Sequence, residues 1–482
     1  MEPYIGDSGR ELVDTFELRA SFWLPDTPSA RIHGRLKYTP TQLVRLEFDG
    51  SLLPPERIDG RTPMASILGR TDEQRDFTVL GADLSLDRWG RDAAWSSASC
   101  DCVLFGDHYD AEDDVQLASA RVRTTRLDEW FEYRHFNLSR PMDEHPIIRT
   151  GNLDETTFTL RIKPIDASLR TVPSFLASHP DYSAISLSME MALAIEPSSP
   201  RTLTWHQQQV RRLVNLLSLL DGERVVPRFI QFDGREKTIG EHHYHETIRF
   251  LRPLYRLPRS NRIVPRTAFP YPSIRENLSE IVVRWFELCE RSEDVLNLFF
   301  AVGRGDQYLP EMEFLARIQA VEGLLRELDP GYYMDTAAYD DAYAEMIKHL
   351  PACIRGNHRQ ALQNRLKFGN EPSLRRRLTN ALRSLEPETR DLILNRHSLK
   401  SFVGNVVDGR NYLTHYPSDG RRTQLTYSQL HMASGRLRSL GGILLLRELG
   451  LTESLIRTRL RATDCWLPAL SSYTLRGDDT AD

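Results

Sequence analysis

The hydrophobic period changes once along this chain, and a proline-rich stretch marks the change. Before it, short β-branched and aromatic runs alternate with turn signals. After it, apolar residues recur at three and four almost to the end. Residues 256–273, RLPRSNRIVPRTAFPYPS, hold four prolines and no period, the composition of an extended connection. A chain of 482 residues exceeds one ordinary core, so the boundary divides a β-rich domain over 1–255 from an all-α bundle over 274–482. The fold class expected is α+β, with the N-terminal domain a sandwich or barrel.

Strands are expected over 15–23, 30–38, 42–48, 77–82, 102–105, 115–122, 158–162 and 184–195, with Asp49-Gly50, Pro54-Pro55 and Asp59-Gly60 as turns. Val210, Leu213, Val214, Leu217 and Leu220 mark an amphipathic helix over 204–221, and strands follow at 224–232 and 247–255. Helices are then expected over 274–301, 310–328, 340–350, 359–368, 373–385, 398–416 and 426–449.

Composition narrows the class. Hydrophobic residues at 40% and charged residues at 27% describe a globular protein. No apolar run reaches the roughly 18 residues of a membrane span, and the first residues lack a signal peptide's order of charge and apolarity. Five scattered cysteines do not make a disulfide framework. The expectation is a cytoplasmic protein with no membrane partner. The net charge of −5 hides a segregation, because residues 352–460 hold 19 Lys and Arg against 8 Asp and Glu. Such a stretch is either an electrostatic footprint for a polyanion or a set of solvated helix faces.

Phosphate-binding GxxxxGK[ST], GxSxG, HExxH and paired CxxC motifs are absent, which weighs against common nucleotide hydrolases, serine hydrolases and zincins. Two groups have the residue types of metal ligands. His242, His243 and His245 include two imidazoles that share a face if the segment is a strand, and Cys100 and Cys102 lie near His108. A polar loop and a structural strand edge are the simpler readings, so no metal or cofactor is assigned.

The segment Gly409-Arg410-Asn411-Tyr412-Leu413-Thr414-His415-Tyr416 has the parts for cutting RNA. Attack by the RNA's own 2′-hydroxyl needs a proton acceptor, a proton donor for the leaving 5′-oxygen, and positive charge on the phosphorane. Histidine titrates near neutrality and suits the first two tasks, and the arginine fork suits the third. Asn411 and His415, at i and i+4, share a helix face on which the amide could orient the imidazole. Arg410 and His415, at i and i+5, sit roughly 140° apart and do not converge unaided. An Arg-x4-His spacing also occurs at Arg140/His145 and Arg201/His206, so the spacing alone carries nothing. Only the third lies in the basic helical stretch, with Asn after Arg and Tyr after His. The alternatives are a surface ion pair for Arg410 and a helix-terminus cap for His415.

That segment resembles the signature of HEPN domains, helical ribonucleases of prokaryotic toxins and antiphage systems. The whole chain resembles the ApeA-like antiphage family. Phe22-Trp23-Leu24-Pro25 with Ile32 through Leu36, Ile67-Leu68-Gly69-Arg70 through Leu80, and Leu127-Asp128-Glu129-Trp130 carry the N-terminal part of the likeness. Phe314 through Glu322 and Leu366 through Glu371 carry the early helices of the HEPN part. The resemblance implies a metal-independent endoribonuclease of abortive infection, with Arg410 and His415 as the catalytic pair and Asn411 in support. It also implies a homodimer that builds a composite site, RNA such as tRNA as substrate, and a trigger of phage origin read by the N-terminal domain. Tyr416, Arg421 and Arg422 are the expected RNA contacts. Glu322 is a further polar candidate, with a surface salt bridge as its alternative. A non-catalytic RNA- or partner-binding protein is the competing reading, and a metal-dependent hydrolase on the three histidines a third.

Overall fold

A computed structural model describes residues 10–89, 94–132, 136–139, 147–150, 156–181, 184–240, 242–254, 266–302, 309–395, 397–415 and 425–463. The chain divides into two compact units, Met1–Phe286 and Glu287–Asp482.

In the first unit the strands β1 (Phe16–Trp23), β2 (Ile32–Tyr38), β3 (Val44–Phe48), β4 (Arg61–Thr71), β5 (Asp76–Trp89) and β6 (Ala94–Phe105) close into an antiparallel barrel. Their order round the barrel is β6-β3-β2-β1-β4-β5, and β5 returns to β6. Of the two architectures open from sequence, the barrel is the one formed. Closure removes exposed edges, and alternation turns Phe22, Leu36, Leu46, Val79 and Val103 inward, each almost fully buried. Gly69 of β4 is required by packing, since a Cβ there would stand 2.1 Å from the Phe77 ring.

β6 is long enough to belong to two sheets. It pairs with β3 over Ser97–Cys100 and, further along, with β16 (His242–Leu251) over Val103–Phe105. From β16 the sheet runs on through β15 (Pro227–Ile239), β8 (Ser119–Thr124), β13 (Ala184–Pro197), β12 (Ala167–Asp181) and β11 (Thr159–Ile162). Short pairs β7 (Gln116–Leu117) with β14 (Arg201–Thr202) and β9 (Phe136–Ser139) with β10 (Ile147–Thr150) complete the strands.

The helix α2 (Leu203–Asp221) starts where Thr202 Oγ1 accepts the Trp205 amide at 3.3 Å and stops at Gly222, φ 84°. It ends on a buried carboxylate. Asp221 takes Arg126 Nε at 2.8 Å and Thr267 Oγ1 at 2.9 Å, while burial pushes its pKa up against the pull of Arg126. Residues 256–265, the first part of the proline-rich stretch, lie outside the described residues. The rest is packed into the first unit. Phe269 is fully buried, its amide donates to Leu220 O at 2.8 Å, and its carbonyl accepts Trp130 Nε1 at 3.0 Å. Trp130 belongs to a one-turn helix α1 (Leu127–Phe131), and a second short helix, α3 (Tyr271–Ile274), follows Phe269.

The helical half begins with α4 (Leu278–Ala301), interrupted at Ser292, and continues through α5 (Pro310–Leu328), α6 (Thr336–Lys348), α7 (Gly356–Lys367), α8 (Leu374–Arg383), α9 (Pro387–Leu394), α10 (Leu399–His415), α11 (Tyr427–Glu448) and α12 (Glu453–Thr463). Within the second unit, Phe314, Val321, Leu324, Val406, Leu437, Leu440 and Leu445 build the core. The helices α6 and α7 contribute no buried residue to it.

Candidate active site

The helix α10 buries one stripe, Phe402, Val403, Val406, Gly409 and Leu413, the recurrence at three and four that seats a helix on a core. Gly409 lies at the tightest point. A Cβ there would stand 2.6 Å from Leu425 Cδ1 and 3.3 Å from Phe314 Cε1, so the residue before Arg410 brings α10 close to α5 and to the approach of α11. The opposite side carries the polar residues. Arg410 and Asn411 are half-buried and His415, in the last turn, is exposed.

Asn411 makes a different contact from the one its spacing suggested. Its Oδ1 accepts Arg410 Nη1 at 3.2 Å, so the amide positions the guanidinium of the neighbouring residue. Thr414 Oγ1 donates to Arg410 O at 2.7 Å, a back-bond within the same turn. The helix runs unbroken to His415, so Arg410 and His415 keep the angular separation of five helical residues.

One residue absent from the sequence reading stands close by. Arg375 of α8 reaches Asp408 Oδ1 at 3.2 Å, two residues before Arg410. The run Arg375-Arg376-Arg377 was the available signal, yet its members have separate roles. Arg377 is buried and donates to the carbonyls of Asp329, Pro330 and Pro372 at 2.9–3.2 Å, so it ties loops together. Arg436 of α11 is also buried, with its guanidinium carbon 5.9 Å from the Phe402 ring centroid and its pKa pushed down by burial. Part of the basic excess is therefore structural. Arg317 of α5 is similar: burial, then the neighbouring charge of Arg438, pushes it down to about 10. Glu322 pairs with Arg326 at 3.2 Å, and Arg326 also holds Glu371, the surface ion-pair arrangement.

Tyr416, Arg421 and Arg422, expected to touch RNA, lie outside the described residues. Among the described residues no group of three His, Cys, Asp or Glu side chains is arranged to hold a metal. His243 Nδ1 sits 3.2 Å from Thr238 Oγ1 and 3.4 Å from Glu236, and His245 Nδ1 is 3.1 Å from Gly234 O, contacts of the β15–β16 hairpin. Cys100 and Cys102 are both buried. Burial pushes both thiols up, Cys102 to about 12, so neither supplies a ready thiolate. His108 Nε2 lies 2.9 Å from Gly69 O, and its ring meets Trp23 edge-on.

Two family models match the chain. ApeA N-terminal domain 1 matches residues 17–285, and Apea-like HEPN matches residues 315–455. The chain belongs to the ApeA-like family. The Arg410–His415 turn falls inside the HEPN match, and the barrel with its extended sheet, from the second residue of β1 on, inside the N-terminal one. HEPN domains are generally ribonucleases that dimerise and bind RNA, which supports a nuclease in antiphage defence for this ApeA-like chain. No curated protein and no solved structure matches it. No helix among its described residues is long and apolar enough to cross a membrane.

Proposed function

We propose that the chain is a metal-independent endoribonuclease that acts in abortive infection, with residues 274–482 as nuclease and the β-rich residues 1–255 as sensor or regulator. One observation carries the reading: α10, inside the HEPN match, carries Arg410, Asn411 and His415 off its buried stripe, in the two turns after the Gly409 packing point. His415 takes the 2′-hydroxyl proton or protonates the leaving 5′-oxygen, and Arg410 stabilises the phosphorane. The 2′-oxygen attacks in place of water, so the products carry a 2′,3′-cyclic phosphate and a 5′-hydroxyl. A regular helix holds Arg410 and His415 on different faces, and a second copy of the chain supplies the missing half of the site. Structured RNA such as tRNA is the substrate class, and a phage component is the trigger.

Phage plating on cells that express the chain or its His415→Ala variant tests this reading. Protection by the parent and none by the variant is expected. Equal protection by both would remove His415 from the mechanism and favour a non-catalytic RNA- or partner-binding role.

A further inference from the structure

The segment before α6 and the turn after α7 are clipped together by one side chain. Tyr333 N donates to Asn370 O at 3.0 Å, Met334 N donates to Asn370 Oδ1 at 2.9 Å, and Asn370 Nδ2 donates to Met334 O at 3.0 Å. Asn370 is buried, yet the rings beside it are not: Tyr333 is 47% and Phe368 61% exposed. Lone exposed aromatics are ordinary; these have basic company. The Arg376 guanidinium carbon lies 4.6 Å from the Tyr333 ring centroid, and Ser373 N donates to the Tyr333 hydroxyl at 3.4 Å. The adjacent Arg375 reaches Asp408, two residues before Arg410. Residues 352–370 contain no Asp or Glu, and Lys367 directly precedes Phe368. The nearest following carboxylate, Glu371, is held by Arg326 and lies 3.9 Å from Arg377.

We propose that this surface binds a single-stranded stretch of the RNA, such as a loop of a structured substrate, and leads it to α10, with bases stacked on Tyr333 and Phe368 and phosphates held by Lys367, Arg375 and Arg376. Every base has a π face, so aromatic stacking holds a strand without reading its sequence, and guanidinium forks match phosphate. The Asn370 clip fixes the backbone that carries Tyr333 against the turn after α7, which lowers the ordering cost of binding. The inference rests on the reading of the chain as a protein that acts on RNA.

The test measures binding apart from cutting, by fluorescence anisotropy of a labelled oligouridine with full-length His415→Ala protein. Phe368→Ala and Tyr333→Ala added to that background should each weaken binding about 5- to 100-fold, while Phe368→Trp and Tyr333→Phe should retain it. Lys367→Ala should make the salt dependence shallower by about one counterion. Unchanged affinity in both alanine variants would overturn the proposal, as would full affinity in Phe368→Leu, which keeps apolar cover without a ring. Loss of self-association with unchanged RNA affinity would also overturn it, and would assign the surface to a protein contact. Ring-dependent binding by a chain whose parent cuts no RNA even with an extract of phage-infected cells added would support the platform and sink the nuclease. Cutting by the parent with ring-independent binding would sink the platform alone.

Discussion

Arg410 donates to Asn411 through one guanidinium nitrogen, and the proposed mechanism sets the other side of the fork on phosphate. An ammonium has no such fork, so Arg410→Lys should lose most of the cleavage rate despite keeping its charge. Parent-like turnover in that variant would count against a bidentate phosphate contact. His415→Ala should lose about 10²–10⁴-fold in rate, the span of a positioned acid–base group. In the β-rich half, His206 is fully buried, its Nε2 lies 2.9 Å from Leu117 O, and burial pushes its pKa from an ordinary 6.5 down to about 4. Its folded pKa lies below its unfolded one, so between pH 6.5 and 4 the unfolded chain binds a proton that the folded chain refuses. The stability this residue supports is whole above pH 6.5 and falls as pH drops toward 4, by up to about 1.4 kcal/mol per pH unit. His206→Gln should flatten the acid side of the stability curve in that window. Denaturant titrations that give both proteins the same slope there would contradict the burial argument.

At the scale of elements, Gly409 is the point where α10, Phe314 and Leu425 meet. Gly409→Val should cost about 1–3 kcal/mol by overpacking, read as a lower denaturation midpoint; an unchanged midpoint would mean that the neighbours yield freely. The helix α10 itself was legible in sequence to within a residue at each end, because its stripe and the Arg-Asn-x3-His segment share one period. Two long strands were not legible. Pro63 and Gly69 in β4, and Pro173 and Pro180 in β12, read as breaks. Pro63 and Pro173 lie where the described strand has a partner on one side only, since β4 meets β1 only over Leu68–Thr71 and β12 meets β11 only over Ala167–Arg170, and Pro180 lies in the register shift between Ser178 and Asp181. Such positions tolerate a missing N–H. The helices α9 and α12 were missed; α9 is short and opens on a proline that reads equally well as a turn. The contact between Arg375 and Asp408, 33 residues apart, exists only through the packing of α8 on α10, and no local period announces it.

For the whole molecule, the cysteine arithmetic of the sequence becomes a statement about access. Cys100, Cys102 and Cys289 are buried and Cys353 is exposed. Of these four, Cys353 alone should react with a thiol reagent in the native state, the other three following on unfolding. Rapid labelling of Cys100 or Cys102 would mean that the barrel opens readily. The two-part organisation was legible because the period changes from strand to helix, whereas the packing of Phe269 into the first unit was hidden inside a proline-rich stretch that reads as linker. The proposed cutting is testable with the purified chain once a source of the proposed trigger is supplied. Total tRNA incubated in excess EDTA with the parent or His415→Ala protein, each with an extract of phage-infected cells as the source of the proposed trigger, and the termini of the fragments absent from extract alone identified, is the most direct measurement. The account predicts cuts by the parent alone that end in 2′,3′-cyclic phosphate and 5′-hydroxyl. Cuts abolished by the chelator, equal cutting by both proteins, or 3′-hydroxyl products from the parent would contradict it.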